Sequence, residues 1–323
     1  MKNKMEKAIN GIHHITVMAS DPQANYDFYT QILGMRFIKK TVNFDAPDVY
    51  HLYYADEVGT PGTVLTFFPF PDARRGKRGT GEITVISFSV TSNSLQYWME
   101  RFANLGIEFN GPKSKVGYEF ISLLDPDGMK IEIVADKNVD SMMGWYNGEI
   151  PAEHSIRKFF GTTFYLKDSK ATEELLSGVM GAKLISAERK IKRYSLGEKE
   201  SLSFVDIIED ANAPRAIGGA GTVHHIAWRT ANDEEQLNWR EKVLANGLYP
   251  TEMVDRNYFH SIYFREPGGI LFEITTDQPG FMVDESFENL GTELKLPEWH
   301  EPKRKLIEQI LVPLKTRTFV KQN

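Results

Sequence analysis

The 323-residue chain contains no cysteine. That excludes a disulfide framework, every thiolate metal site and cysteine nucleophiles, leaving histidine and carboxylate as the strong metal ligands. It is also short of basic runs: Arg74 to Arg78 is the densest, in a chain of net charge -6 and pI near 5.8. A nucleic acid or an anionic membrane surface is therefore not the expected partner. No stretch approaches the roughly 18–20 apolar residues of a membrane span. The start, MKNKMEKAIN, lacks the apolar core of a secretory signal, so a cytoplasmic location is expected. With 41% apolar and 25% charged residues the composition is that of an ordinary folded protein, and the length favours two domains over one.

What the chain does have is repetition. Four of its eight histidines form two His-His pairs, in GIHHITVM at the start and TVHHIAW far downstream. Each pair opens a strand–helix–three-strand unit, and two further units lack the pair. Module one runs HHITVMA, NYDFYTQIL, MRFIKKTVNF, VYHLYYAD and TVLTFFPF. Module two runs ITVISFSV, SLQYWMERFANL, IEFNGP, YEFISLLDP and MKIEIVAD. Module three is TTFYLKD, ATEELLSGVM, KLISAE, RYSLG and SLSFVDII, and module four is HHIAWRT, EEQLNWREKVLAN, TEMVDR, SIYFREP and ILFEITTD. A glycine after each helix (Gly34, Gly106, Gly181, Gly247) fits a left-handed C-cap. In modules one, two and four a turn proline (Pro61, Pro126, Pro267) precedes the last strand. Six residues on stand Phe67, Glu132 and Glu273.

The expected organisation is α+β: two modules over 8–136, a polar Gly- and Pro-containing linker over 137–157, two modules over 158–278, and a tail over 279–323. The segment PEWHEPKRKLIEQILVPL in that tail has the apolar spacing of one amphipathic helix.

Four βαβββ units with paired histidines resemble the vicinal oxygen chelate superfamily, which includes glyoxalase I, fosfomycin resistance enzymes and extradiol ring-cleaving dioxygenases. The resemblance spans about residues 10–277. The tail motif LGTELKLPEWHEP is further similar to the branch that opens para-hydroquinones. The family's fold curls two modules into a cup around a metal, with ligands on the first and last strands. Alternation along a strand lets one histidine of each pair face inward. The second of each, His14 and His225, matches the family's ligand position.

Reading the ligand positions across the modules gives His14 and Phe67, Ser87 and Glu132, Thr163 (or Thr162) with Asp206 the nearest carboxylate, and His225 and Glu273. Pairing module one with module four unites His14, His225 and Glu273, a set that suits Fe(II) and also admits Mn(II). Pairing modules two and three leaves at best Glu132, read as structural. The comparison carries over His13, Thr16, His224, Arg256 and Tyr263 as catalytic residues. Arg256 lies 17 and Tyr263 ten positions before Glu273. His51, His154, His260 and His300, with no repeat-matched partner, are expected to be non-ligands.

The resemblance implies an Fe(II)-dependent dioxygenase that opens a hydroquinone-type ring with O2, acting on a small aromatic substrate, with a homo-oligomer left open. Two alternatives are a metal-dependent isomerase or thiol transferase, and a binding protein without turnover. Phe67, where glyoxalase I needs another ligand, lowers the isomerase reading. The tail helix is expected either to cover the cup or to pack outside it.

Overall fold

In a computed structural model, residues 8–146 and 148–317 are described. Asn147 of the linker and residues 318–323 of the tail lie outside them. Module one consists of β1 (Ile12–Ala19), α1 (Pro22–Asp27), β2 (Arg36–Asn43), β3 (Ala46–Ala55) and β4 (Val64–Pro69). Module two consists of β5 (Glu82–Val90), α2 (Leu95–Asn104), β6 (Phe109–Lys115), β7 (Tyr118–Leu124) and β8 (Lys130–Ala135). Module three is β9 (Lys158–Leu166), α3 (Lys170–Glu174), β10 (Lys183–Glu188), β11 (Ile191–Leu196) and β12 (Ser203–Glu209). Module four is β13 (Val223–Thr230), α4 (Asp233–Ala245), β14 (Val254–Asp255), β15 (Phe259–Arg265) and β16 (Leu271–Pro279).

Local chemistry explains the helices. Asp21 caps α1 by accepting from the Gln23 and Ala24 amides, and Pro22 pre-sets the first turn. Both α1 and α3 run on into one π turn, Phe28–Ile32 and Leu175–Val179, closed by bonds from Leu33 N to Phe28 O and from Met180 N to Leu175 O. The four expected stop glycines all have φ between 68° and 77°, the left-handed conformation that glycine adopts without strain.

Two eight-stranded sheets result. One has the order β14-β15-β16-β13-β1-β4-β3-β2 and joins modules four and one; the other, β10-β11-β12-β9-β5-β8-β7-β6, joins three and two. Within a module the first and last strands run parallel, and the two modules of a sheet meet antiparallel along their first strands, β1 on β13 and β5 on β9. The stretches 8–136 and 158–278 therefore do not each own a sheet; every sheet takes one module from either stretch. The chain leaves the first sheet after β4, completes the second, and returns. Its outgoing and returning connectors lie side by side through the bridges Arg75↔Ala220, Lys77↔Ile217 and Thr80↔Arg215.

The tail carries the expected helix, though a short one. Pro302 sits in a short 3-10 turn, Glu301–Lys303, and the helix that follows, α5 (Arg304–Ile310), is only seven residues long. Most of the tail is a strap along the β2 edge. Lys40 bridges to Leu294, and Lys39, completely buried, pairs with Asp284 (2.5 Å) and with Glu285. Covering an edge strand in this way blocks pairing with another chain. No described helix is long and apolar enough to cross a membrane.

Candidate metal centre

The site lies on the first sheet, where β1, β13 and β16 run side by side. His14 of β1, His225 of β13 and Glu273 of β16 are all buried, and their donor atoms converge. His14 Nε2 lies 3.2 Å from His225 Nε2 and 3.2 Å from Glu273 Oε2, and His225 Nε2 lies 2.9 Å from the same oxygen. A triangle with edges of about 3 Å is what donors roughly 2.0–2.2 Å from one ion, at right angles to each other, would form. Glu273 Oε2 is buried without a properly formed hydrogen bond, while Ser261 Oγ donates to the other oxygen, Oε1. A carboxylate oxygen shut away from water and left open toward two imidazoles fits a cation at the shared point. Among the described residues no other group of three histidine or acidic side chains is placed to hold a metal.

The register shows how two adjacent histidines share this place. Along β1 and β13 the pairs are Ile12↔Trp228, His14↔Ala227, Thr16↔His225 and Val17↔Val223. One residue is skipped on each strand, His13 on β1 and His224 on β13, so each non-ligand histidine sits on a β-bulge. The bulges bring His13 Nδ1 to 3.0 Å from His14 Nδ1 and His224 Nδ1 to 2.8 Å from His225 Nδ1. Each outer histidine can thus orient the ring that faces the centre.

The same register corrects the sequence alignment. Thr16 pairs with Thr66, Ser87 with Glu132, Thr163 with Asp206 and Ala227 with Glu273. The module-one counterpart of Glu273 is therefore Thr66, not Phe67, because the turn after Pro61 is one residue shorter than those after Pro126 and Pro267. Phe67 faces away from the centre and packs on Tyr29 and Tyr54. In the second sheet the histidine row is occupied not by Ser87 and Thr163 but by Val85 and Gly161, paired with Lys130 and Phe204. A Cβ on Gly161 would come 2.1 Å from the Phe204 carbonyl oxygen, so no imidazole fits there. The carboxylates of that sheet are neutralised internally: Lys115 Nζ lies 3.0 Å from Glu132 and 3.1 Å from Asp206. Ser87 donates to Glu132, and Arg193 grips Asp206 through two nitrogens.

Above the three donors opens a cavity of about 380 Å³. Its lining includes His14, His225, His224, Arg256 and Tyr263, all anticipated, together with His51, Tyr53, Phe259, Phe44 and Asp45, which were not. Tyr263 stands across from Glu273 in the β15–β16 ladder, and its hydroxyl accepts a 3.0 Å bond from Arg256 Nε. Arg256 also reaches Asp45 Oδ2 (3.3 Å). His13 is buried and does not line the cavity itself but touches His14 and Phe259, which do, and Thr16 lies 2.8 Å from His225 Nε2. Of the other histidines, His154 stacks on Tyr97, His260 pairs with Asp233 and His300 bonds the Phe44 carbonyl, all away from the three donors. Phe68 lines the cavity, whereas Trp228 and Phe272 pack together in the core. No described tail residue lines the cavity; Trp299 and His300 only steady Phe44 from outside.

Electrostatics favour a charged Glu273. Burial alone would raise the glutamate, but attraction to His14 and His225 outweighs it and holds its pKa well below the usual value. His225 is lowered by burial, with Glu273 opposing, and His13 is lowered by burial and then by His14. Burial, then Glu273, drives the Tyr263 phenol far up, so it stays protonated.

Residues 11–133 and 160–274 match the Glyoxalase/Bleomycin resistance protein/Dioxygenase superfamily. The chain belongs to this superfamily. It is 41% identical over 318 residues to "Putative ring-cleaving dioxygenase MhqO" of Bacillus subtilis (strain 168), covering 97% of this chain and 99% of that one. It is 32% identical over 320 residues to the chlorohydroquinone/hydroquinone 1,2-dioxygenase of Sphingobium indicum, at 96% and 99% coverage. The crystal structure of a "putative dioxygenase" from Bacillus subtilis superposes with a TM-score of 0.91 at 40% identity, covering 96% and 99%. Glyoxalase I from Zea mays, at 12% identity and a TM-score of 0.61 over 83% and 92%, shares the fold alone.

Proposed function

We propose that this superfamily member is a ring-cleaving dioxygenase that opens a para-diphenol of the hydroquinone type with O2, at an Fe(II) held by His14, His225 and Glu273. The observation that carries the reading is the set of three buried donors on one face of a centre whose other side opens into an aromatic-walled cavity. Two neutral imidazoles and one carboxylate would leave an Fe(II) with one net positive charge and free positions, supplying acidification of the phenol and electron transfer to O2.

The protein's own residues complete the chemistry. His13 and His224 fix the ligand rings from behind. Tyr263, kept protonated and aimed by Arg256, can donate to an oxygen of the substrate, and the Arg256 guanidinium favours negative charge there. Phe259, Phe68 and Phe44 offer faces and edges to a planar ring. The isomerase reading lacks a fourth ligand, since a threonine hydroxyl stands where module one would supply it, and an oxygen requirement separates the thiol transferase reading. A protein without cysteine also has no thiol to lose to the quinones such diphenols form, which suits a role in removing them.

Oxygen uptake by Fe(II)-loaded protein given hydroquinone, with catechol and a His225→Ala variant alongside, tests the proposal. Stoichiometric uptake with hydroquinone, lost in the variant, is expected. Metal-loaded protein that consumes no O2 with either ring overturns it.

A further inference from the structure

A second chain of polar groups leads away from the centre on the module-one side. Thr16 Oγ1, 2.8 Å from His225 Nε2, lies 2.7 Å from Thr66 Oγ1. Thr66 Oγ1 is 2.9 Å from His51 Nε2, and His51 Nδ1 is 2.7 Å from the Tyr53 hydroxyl. The repeat gives this chain its meaning. Tyr53 pairs with Thr66 across β3 and β4 just as Tyr263 pairs with Glu273 across β15 and β16. Module one therefore keeps the tyrosine of the site and has exchanged the carboxylate for a hydroxyl.

The donors in the chain have a direction. Tyr53 is 1% exposed, and among the described residues its hydroxyl meets one hydrogen-bond partner, His51 Nδ1. A buried O–H with no acceptor is costly, and burial keeps this phenol protonated, so it donates to Nδ1. A neutral imidazole that accepts at Nδ1 carries its proton on Nε2, which donates to Thr66. The single O–H of Thr66 then turns to Thr16, and the O–H of Thr16 is left to point at the centre. If the lone pair of His225 Nε2 is committed to a metal, that nitrogen no longer accepts from Thr16. The remaining acceptor is an oxygen of whatever is bound beside it.

We propose that Tyr53, His51 and Thr66 are positioning residues: a one-way relay that fixes the Thr16 hydroxyl as a hydrogen-bond donor to the reacting oxygen of the para-diphenol. The assignment rests on the dioxygenase reading for its substrate, and on the hydrogen-bond geometry and the burial of Tyr53 for its direction. It gives the centre two opposed donors, Tyr263 from module four and Thr16 from module one. A purely structural polar ladder would need neither this polarity nor an end at a ligand nitrogen.

Two measurements test it. In protein labelled with 15N in its imidazoles, with the His51 signals assigned by their loss in His51→Gln, His51 is expected as the Nε2–H tautomer at neutral pH. Finding the Nδ1–H tautomer reverses the relay and overturns the proposal. In metal-loaded protein, Thr66→Val cuts the chain at constant shape. It should lower kcat for hydroquinone about tenfold, the worth of one good hydrogen bond, with KM within about twofold and metal content unchanged. Wild-type kcat in Thr66→Val, or a loss confined to KM, overturns it as well. If the wild-type protein opens no ring, the dioxygenase reading fails, and the imidazole spectrum still decides the direction of the relay.

Discussion

Arg256 Nε donates to the Tyr263 hydroxyl at 3.0 Å, and Tyr263 faces Glu273 across the β15–β16 ladder. The guanidinium thus fixes a protonated phenol beside the three ligand atoms. Removing the hydroxyl with Tyr263→Phe keeps the ring and should lower kcat/KM for hydroquinone by about tenfold to hundredfold, within the range of a lost acid–base or donor group. Metal content by elemental analysis should be unchanged. Loss of metal in this variant would instead make Tyr263 a support of Glu273.

The ligand set predicts a stability linkage. Adding Fe(II) or Mn(II) anaerobically to metal-free protein should raise Tm, by an amount equivalent to about 2.7 kcal/mol at a hundred times Kd. In Glu273→Gln, which keeps the shape and loses the charge, the shift should largely vanish. An undiminished shift there would place the bound ion elsewhere.

Proton linkage of the metal-free protein has a definite sign. His13 and His225 are buried with pKa values below the ordinary imidazole value of about 6.5, so below that pH the unfolded chain binds protons that the folded chain resists. Their contribution is present above about pH 6.5 and shrinks as pH falls, each group by up to about 1.4 kcal/mol per unit. Glu273, lowered in the fold, adds stability above the ordinary carboxylate value that is lost as pH falls through its folded pKa. Urea midpoints at pH 7.5 and 5.5 should therefore fall with pH. A flat profile would contradict the neutral, buried imidazoles.

Lys115 stands between Glu132 and Asp206, at 3.0 and 3.1 Å, as an internal cation in the second sheet. Lys115→Met should destabilise the protein by about 1–3 kcal/mol, because Ser87 and Arg193 still serve the two carboxylates. Adding Glu132→Gln should recover part of that loss in a double-mutant cycle. Metal should stay at one ion per chain; a second equivalent in Lys115→Met would show that the lysine alone keeps that sheet empty.

The tail strap makes a separate prediction. Lys39 has no exposure and depends on Asp284 and Glu285 for its partners. Glu285→Ala should cost about 3–5 kcal/mol while leaving KM for hydroquinone within twofold, since no described tail residue lines the cavity. A large change in KM with stability intact would restore the tail as a cover for the site.

Much of this architecture is legible in the sequence because repetition is a strong signal. The four strand–helix–three-strand units and their stop glycines follow from matched positions in the modules, and the union of His14, His225 and Glu273 from the family resemblance read onto those positions. Fine register is harder to read. Counting from Pro61 selects Phe67, because a turn one residue shorter looks the same in sequence, and a slip of one residue moves a side chain to the opposite face. That slip hid Thr66, and a longer β3–β4 hairpin hid Tyr53, which lies 13 positions before Thr66 where Tyr263 lies ten before Glu273; both likenesses appear only once the strands are paired. The bulges at His13 and His224 were out of reach for a related reason. A doubled histidine reads as simple alternation until the partner strand shows which residue is skipped.

The sheet that carries the site is closed by its first and last modules, while the other is built from consecutive ones. During synthesis, β5 to β12 can assemble as soon as they emerge. His14, however, waits for His225, 211 residues later, roughly 10–40 s at ordinary translation rates. Through that interval β1 has a free edge and its histidines have no partner. The centre comes into being only after Glu273 of module four has been made, so a product truncated before that residue is barred from binding metal with this ligand set.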